Sequence, residues 1–307
     1  MNNLVFKNIE LNDRFDVEPF LIKVANRSCQ FTFVSLFCLR DKYGTQICID
    51  NNTLYIRQIN RTIDDKIAYF LPIIEGEDSL DNALHRIINT AKVDGHLIYL
   101  FNIIDDNIKE LLKSKDFEFH FQEKEDWSEY LYYTHRLRDL KKSDLHRQKR
   151  TVKKFWKTYE NDDVMIEDIS LNNILEIKEF QKKWYEAKLL SLPNDESISH
   201  ENKAIQIAFD NFKELELFGI ALRINGIIEG YSYGVVISDN TFDKIVEKGN
   251  YNINNVYRVI SQEMAKKCDE SLIWTNMEED LGIEGLRTMK QRYKPDCLII
   301  KYDGFIK

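Results

Sequence analysis

The order of apolar runs in this chain occurs twice. From Leu217 onward the hydropathy pattern predicts strands at Leu217 to Ile224, Ile227 to Ile237 and Thr241 to Lys248, then a helix from Ile253 to Cys268 with Val256, Val259, Ile260 and Met264 on one face. A short strand Leu272 to Thr275, a helix Ile283 to Gln291 and a closing strand Cys297 to Tyr302 follow. Asn225-Gly226 marks a tight hairpin between the first two strands, because both central residues of a type I′ turn need positive φ. Helices at Leu171 to Ala187 and His200 to Phe212 precede this set. The N-terminal half reads in the same order: helices Leu11 to Ala25 and Gln30 to Lys42, strands Thr45 to Ile49, Leu54 to Arg57 and Lys66 to Pro72, helix Leu80 to Ala91, strand Leu97 to Phe101, helix Asp105 to Lys113, strand Asp116 to Phe121. From the first hairpin onward, corresponding elements lie about 170 to 180 residues apart, an offset that independent placement would seldom give. The chain is therefore expected to hold two copies of one mixed α/β (α+β) architecture, each a central sheet flanked by helices.

With 307 residues, 43% hydrophobic and 31% charged, the chain can bury two ordinary cores. Only 11 Gly and 4 Pro are present, so the boundary must run through structured sequence. The expected division is 1–122, a basic connector helix over 123–163, and 164–307. Met1 to Phe20 lacks the basic start and apolar run of a secretion signal, and the longest uncharged apolar stretch, Ser28 to Leu39, is far shorter than the roughly 20 residues a spanning helix needs. Five scattered cysteines without a CxxC pair fit reduced thiols, which points to a cytoplasmic protein. Six histidines show no spacing that puts two imidazoles on one face, so no metal site is expected.

Two helices, three antiparallel strands, then helix, strand, helix, strand resembles the order of the GNAT acyltransferase fold, here in tandem. The stretch from Asn276 to Pro295 contains Asn276, Glu278, Asp280-Leu281-Gly282, Gly285-Leu286-Arg287, Lys290, Tyr293 and Pro295. That spacing resembles the signature of the phosphatidylglycerol lysyltransferase C-terminal family, N-x-E-x-D-L-G-x-x-G-L-R-x-x-K-x-x-Y-x-P. Glu247-Lys248, Tyr257, Gln262-Glu263, Phe31-Thr32-Phe33, Arg40 to Gly44 and Lys149 to Phe155 extend the likeness over nearly the whole chain. The tail of the motif is also similar to the Fem-type peptidyltransferases, which use aminoacyl-tRNA on a tandem GNAT scaffold. The lysyltransferases proper carry a membrane-embedded part ahead of this domain, and no stretch here is apolar enough to span a bilayer. The resemblance implies an acyltransferase, and the N-terminal copy is expected to be degraded in its donor cleft.

GNAT enzymes that use acetyl-CoA commonly hold its pyrophosphate on backbone N–H groups of a glycine-rich loop opening the third helix. Here that junction reads Lys248-Gly249-Asn250-Tyr251-Asn252-Ile253-Asn254-Asn255, with one glycine and Asn254 as the expected cap. An aminoacyl-tRNA donor is thereby favoured over acyl-CoA. Arg136 to Lys157 holds ten basic residues and two acidic ones, a net of +8 in a chain of −8, so the remainder carries −16. On a helix, Arg147, Arg150, Lys154 and Lys157 share one side and offer a phosphate-backbone surface for tRNA, against a solvated linker helix or contact with an anionic membrane. Asn276, Glu278, Asp280, Arg287, Lys290, Asn254 and Tyr257 are the candidate substrate contacts; helix-start chemistry is the competing reading for the carboxylates. Tyr293 is placed like the general-acid tyrosine of many GNAT enzymes, or is a buried aromatic anchor, and Glu247 is the candidate base, or an exposed strand-end carboxylate. Three functions stay open at this level: aminoacyl transfer to an amine or hydroxyl, a catalytically silent tandem GNAT protein that binds tRNA, nucleotide or a partner, and acyl-CoA-dependent N-acetylation.

Overall fold

In the computed structural model, residues 3–307 are described, apart from 26, 142–144 and 194. The first part of the chain gives strands β1 (Lys7–Asn8), β2 (Thr45–Asp50), β3 (Thr53–Ile63), β4 (Lys66–Tyr69), β5 (Ile73–Ile74), β6 (Leu97–Ile103) and β7 (Phe119–Glu123). Its helices are α1 (Arg14–Val24), α2 (Phe33–Cys38), α3 (Arg40–Tyr43), α4 (Leu80–Asp94) and α5 (Asp105–Leu111). The rest gives strands β8 (Glu129–Tyr133), β9 (Val164–Asp168), β10 (Phe218–Ile224), β11 (Ile227–Ser238), β12 (Thr241–Gly249), β13 (Trp274–Glu279), β14 (Cys297–Ile299) and β15 (Tyr302–Ile306). Its helices are α6 (Thr134–Asp139), α7 (His146–Thr158), α8 (Ile174–Ser191), α9 (Glu196–Asp210), α10 (Val256–Lys267) and α11 (Glu284–Arg292). Two compact units result: 1–129 with 279–282 and 299–307, and 130–278 with 283–298.

In the first unit the strand order is β1-β2-β3-β4-β6-β15-β7, with β5 also on β3. β2, β3 and β4 run antiparallel, and β6 returns parallel to β4 after the α4 crossover. Helix α4 begins where the Ser79 hydroxyl accepts the Asn82 N–H at 3.1 Å and ends at Gly95, φ 80°. Its apolar face, Ala83, Leu84, Ile87 and Ala91, is buried, the first three among Tyr55, Tyr69 and Leu100.

The second unit has the order β14-β8-β13-β12-β11-β10-β9. β10, β11 and β12 are antiparallel and β13 is parallel to β12. Strand for strand this is the first unit's arrangement, with β10, β11, β12, β13, β8 and β14 in the places of β2, β3, β4, β6, β15 and β7. Helices cover both faces of the sheet: a Cβ on Gly230 would meet Ile260 of α10, while the next residue, Tyr231, donates to Gln181 of α8 at 2.7 Å. Val256, Val259, Ile260 and Met264 of α10 are buried in the core, as their spacing predicts.

Several expectations need correction. The expected helix 30–42 is broken at Leu39 into α2 and α3, and α10 starts at Val256 instead of Ile253. Its N-cap is Asn255, in the left-handed region at φ 71°, so Asn254 is not the cap; it is an exposed loop residue. The connector 123–163 is not one helix: it contains β8, α6 and α7, and Lys142 and Asp144 lie outside the described residues. The single closing strand expected at 297–302 is two short strands in different sheets, β14 and β15. β8 and β15 were missed as exchanged strands because nothing local marks which sheet an apolar run joins.

Candidate functional site

The second unit carries the feature on which a donor cleft depends. β12 and β13 pair only at Thr241↔Trp274, Phe242↔Thr275 and Asp243↔Asn276, and then part, leaving the remaining six residues of β12 without β13 pairing. The cause lies on the other edge. β11 pairs Tyr233 with Val246 and Val235 with Asp243, so Lys244 and Ile245 together oppose Gly234, a β-bulge. Only glycine fits there, since a Cβ would stand 1.8 Å from the Asp243 carbonyl oxygen. In the first unit the corresponding strand is interrupted at 70–72, between β4 and β5.

Because of the bulge, Lys244 and Glu247 reach each other: Lys244 Nζ donates to Glu247 Oε2 at 2.7 Å and to Ser261 Oγ of α10 at 3.1 Å. Glu247, the candidate base, is therefore engaged by an ammonium group. Lys248, 7% exposed, donates to Glu201 Oε1 at 2.7 Å and stands 4.0 Å from the Trp184 ring centroid. Burial pushes its pKa down, with Glu201 opposing the shift. Trp184 Nε1 donates to the Tyr257 hydroxyl at 3.3 Å, and that hydroxyl donates to the Gly249 carbonyl at 3.1 Å. Burial raises the Tyr257 pKa. Beside this chain of groups is a cavity of about 540 Å³, whose lining includes Glu179, Phe180, Trp184, Ile228, Asn250 and Tyr251.

The turn between β12 and α10 is closed on itself. Asn250 Oδ1 accepts the Asn252 N–H at 3.0 Å, the Asn250 carbonyl accepts the Ile253 N–H at 3.0 Å, and the Ile253 carbonyl accepts the Val256 N–H at 3.4 Å. The Asn250 amide donates to Glu229 at 2.7 Å, tying the turn to β11. The N–H groups of Asn252, Ile253 and Val256 thus serve the turn and do not face an anion.

Of the sequence-predicted site residues, the structure brings Glu247 and Tyr257 to the parted strands. Lys290 and Tyr293 are buried: the Lys290 ammonium is 5.5 Å from the Tyr130 ring, and the Tyr293 ring lies 6.4 Å from Tyr132 and under the Arg258 guanidinium at 4.8 Å. Tyr293 thus lies against an aromatic ring and a guanidinium within the core of the second unit. Asn276 Oδ1 accepts the Glu278 N–H at 2.7 Å, and Glu278 sits at φ 58°, a strained conformation for a glutamate. Asp280, in the first unit, accepts the Gly282 N–H at 2.9 Å, and Arg287 is half-buried on α11. On α7, Arg147, Arg150, Lys154 and Lys157 are exposed, opposite buried Gln148, Val152 and Phe155.

Sequence reasoning missed Lys244, Trp184, Glu201 and Ser261. The available signal was β12 itself, where Asp243, Lys244, Glu247 and Lys248 put four charges into a strand expected to be core. One metal-type grouping exists among the described residues: Cys29, Glu129 and Glu279 of the first unit bring ligand atoms within 4.8 Å of one another. Glu129, fully buried, already accepts from Ser28 Oγ at 2.6 Å, the Cys29 N–H at 2.9 Å and Lys301 Nζ at 2.7 Å. Burial alone would raise its pKa, but Lys301 and the two other donors hold it below the usual carboxylate range. Glu129 is thus one half of a buried ion pair with Lys301. Among the described residues no helix is long and apolar enough to cross a membrane.

A protein of unknown function from Bacteroides thetaiotaomicron is similar in structure, with 29% identity and a TM-score of 0.90 over 99% of this chain and 100% of that one. The C-terminal domain of a protein assigned as a lysylphosphatidylglycerol synthetase from Agrobacterium fabrum shares 10% identity and a TM-score of 0.64, covering 96% of this chain and 91% of its own. L-PGS from Bacillus licheniformis shares 12% identity and a TM-score of 0.60, covering 95% and 91%. No curated protein matches the chain. At such identities the two synthetase structures show a common fold and nothing finer. The family described as phosphatidylglycerol lysyltransferase, C-terminal, matches residues 23–303. The chain therefore belongs to the phosphatidylglycerol lysyltransferase C-terminal family, a family of acyltransferases.

Proposed function

We propose that the chain is an aminoacyltransferase that moves an aminoacyl group from an aminoacyl-tRNA to an amine or hydroxyl acceptor in the cleft where β12 and β13 part. The closed turn before α10 carries this reading. An acyl-CoA donor needs free backbone N–H groups at that turn, and here those of Asn252, Ile253 and Val256 are spent internally. An ester on the ribose of tRNA needs no such cradle, because its phosphates can be held elsewhere. Helix α7 supplies that place: it belongs to the same unit, packs on α10, and presents Arg147, Arg150, Lys154 and Lys157 to solvent. An aminoacyl-tRNA donor also implies a cytoplasmic protein.

In the transfer, the acceptor nitrogen or oxygen bonds to the acyl carbon, the bond from that carbon to the ribose oxygen breaks, and the acceptor's proton ends on the ribose hydroxyl. The β12 edge that has left β13 offers N–H groups to the developing oxyanion, and positioning supplies most of the remaining acceleration.

The test is to incubate the chain with each charged tRNA and with acetyl-CoA, following acyl loss from the donor in the presence of an amine acceptor. Turnover of at least one aminoacyl-tRNA is expected. Replacing Arg147, Arg150, Lys154 and Lys157 with Gln should raise KM for tRNA and flatten its salt dependence, while the melting temperature barely moves. Turnover of acetyl-CoA alone, or an unchanged KM in the quadruple variant, would overturn the assignment of donor or of tRNA surface respectively.

A further inference from the structure

The first unit contains charged groups whose bonding is incomplete. β3 leaves its ladder for three residues: it pairs with β4 at Gln58↔Ala68 and resumes only at Thr62↔Ile67. Arg61, the last residue of that excursion, has its guanidinium carbon 4.1 Å from the Tyr43 ring centroid, 3.9 Å from Phe101 and 4.3 Å from Trp127. Phe101 and Trp127 themselves meet edge to face at 5.8 Å. Rings can cover the faces of a guanidinium, but only acceptors in its plane satisfy the N–H groups. Nε and Nη2 of Arg61 are both buried and have no hydrogen-bond partner among the described residues. Those two atoms form the side-on fork that binds an oxyanion through two parallel hydrogen bonds.

An orphaned acceptor stands close by. β15 meets β6 at Tyr302↔Ile103 and at Gly304↔Leu100, so Asp303 faces the Phe101-Asn102 step, where Asn102 takes φ 62°. Asp303 is 2% exposed; its Oδ2 is 3.6 Å from Lys124 Nζ, and its Oδ1 has no partner among the described residues. Asn102 Nδ2 is a further buried donor without one. Burial lowers the Arg61 pKa, opposed by Tyr43, Tyr99, Glu279 and Asp303, and burial raises that of Asp303, opposed by Lys124 and Arg61. Buried polar atoms are almost always paired, and an unpaired one in a native fold calls for a ligand, a water or a strain explanation.

We infer that the first unit binds a free α-amino acid, its carboxylate on the Nε/Nη2 edge of Arg61 and its ammonium on Asp303 Oδ1. A simple carboxylate would fill the fork but stand against Asp303 with a second negative charge. A simple amine would satisfy Asp303 and leave the fork empty. An α-amino acid carries both groups on one carbon. Tyr43 and Trp127, two of the three rings around Arg61, are partly exposed, and the entry route is placed on their side. This site is independent of the transfer cleft in the second unit and stands or falls without it.

Isothermal titration of the full chain with each proteinogenic amino acid, followed for the best binder by its deaminated acid and its decarboxylated amine, tests the inference. At least one amino acid is expected to bind at millimolar concentration or below, and each truncated analogue should bind roughly tenfold or more weakly. Arg61→Lys keeps the charge but loses the fork, and Asp303→Asn keeps the shape but loses the anion; each should weaken binding by about tenfold or more while a melting curve shows a folded protein. Binding that either folded variant leaves intact, analogues that bind as well as the amino acid, or the absence of any amino acid binding would each overturn it.

Discussion

Asp303 sits almost wholly out of solvent, and burial outweighs the pull of Lys124 and Arg61, so its pKa lies above 3.8. A carboxyl with a raised folded pKa holds its proton more tightly in the native state than in the unfolded chain. It therefore favours folding in acid, and that contribution is lost as pH rises from about 3.8 through the folded value. Asp303→Asn removes the titration. The melting temperature of the variant relative to wild type should climb across that window and be flat on either side; a difference that is constant with pH, or that falls, would contradict the raised pKa. Position 303 shows what sequence reading lacks at this scale. Its neighbours Tyr302 and Gly304 suggest an ordinary strand, and only the register with β6 reveals a carboxylate turned toward a bulge. Lys244 and Glu247 were hidden in the same way, because three residues apart in a regular strand they would point to opposite faces. The signature residues Asn276 and Asp280 were legible as a pattern, and the structure shows each shaping a local turn.

At the level of elements, the β11–β12 bulge is the device that opens the cleft, and Gly234 is what allows it. A methyl group there would stand 1.8 Å from the Asp243 carbonyl oxygen and 2.6 Å from the Phe242 ring, and both belong to the strand that must stay close. Gly234→Ala should cost about 1–3 kcal/mol or more, as overpacked cores do. In a unit of this size that lowers the melting temperature by roughly 2 to 12 °C. The same variant should lose transfer activity beyond what instability explains, since realigning β12 moves Lys244 and Ile245; a stable Gly234→Ala protein with full activity would show that the bulge is incidental. Elements were legible where their local chemistry was self-sufficient. Asn225 and Gly226 take φ 50° and 82°, as a type I′ hairpin demands, and α4 ends at a left-handed glycine. They were illegible where tertiary contacts decide. The 30–42 segment is apolar enough to run as one helix, yet Thr32 caps it anew through the Ser35 N–H at 3.0 Å and Leu39 breaks it. The start of α10 moved three residues because Asn255, at φ 71°, takes a non-helical conformation directly before Val256.

For the molecule as a whole, the repeat was readable because each copy carries its meander, crossover helix and parallel return strand in one stretch of sequence. The sixth strand of each sheet was not, since it comes from the other half of the chain: β8 completes the second unit and β15 the first. This exchange has a consequence for stability. β15 is an interior strand, paired with β7 from Tyr302↔Glu123 to Ile306↔Phe119 and with β6 on its other edge. Lys301, just before it, is 1% exposed and is the cation that compensates fully buried Glu129. Ending the chain at Ile300 removes both the strand and the ammonium, and an uncompensated buried carboxylate alone costs roughly 3–5 kcal/mol. The loss should fall on the unit to which β15 belongs. Hydrogen exchange on the truncated chain is expected to show β6 and β7 amides unprotected while β10, β11 and β12 keep their protection, and a peptide of residues 301–307 added in trans should restore part of the difference. Equal loss of protection in both sheets would mean that the two copies unfold as one cooperative body, and the strand exchange would then be a feature of connectivity with no local energetic role.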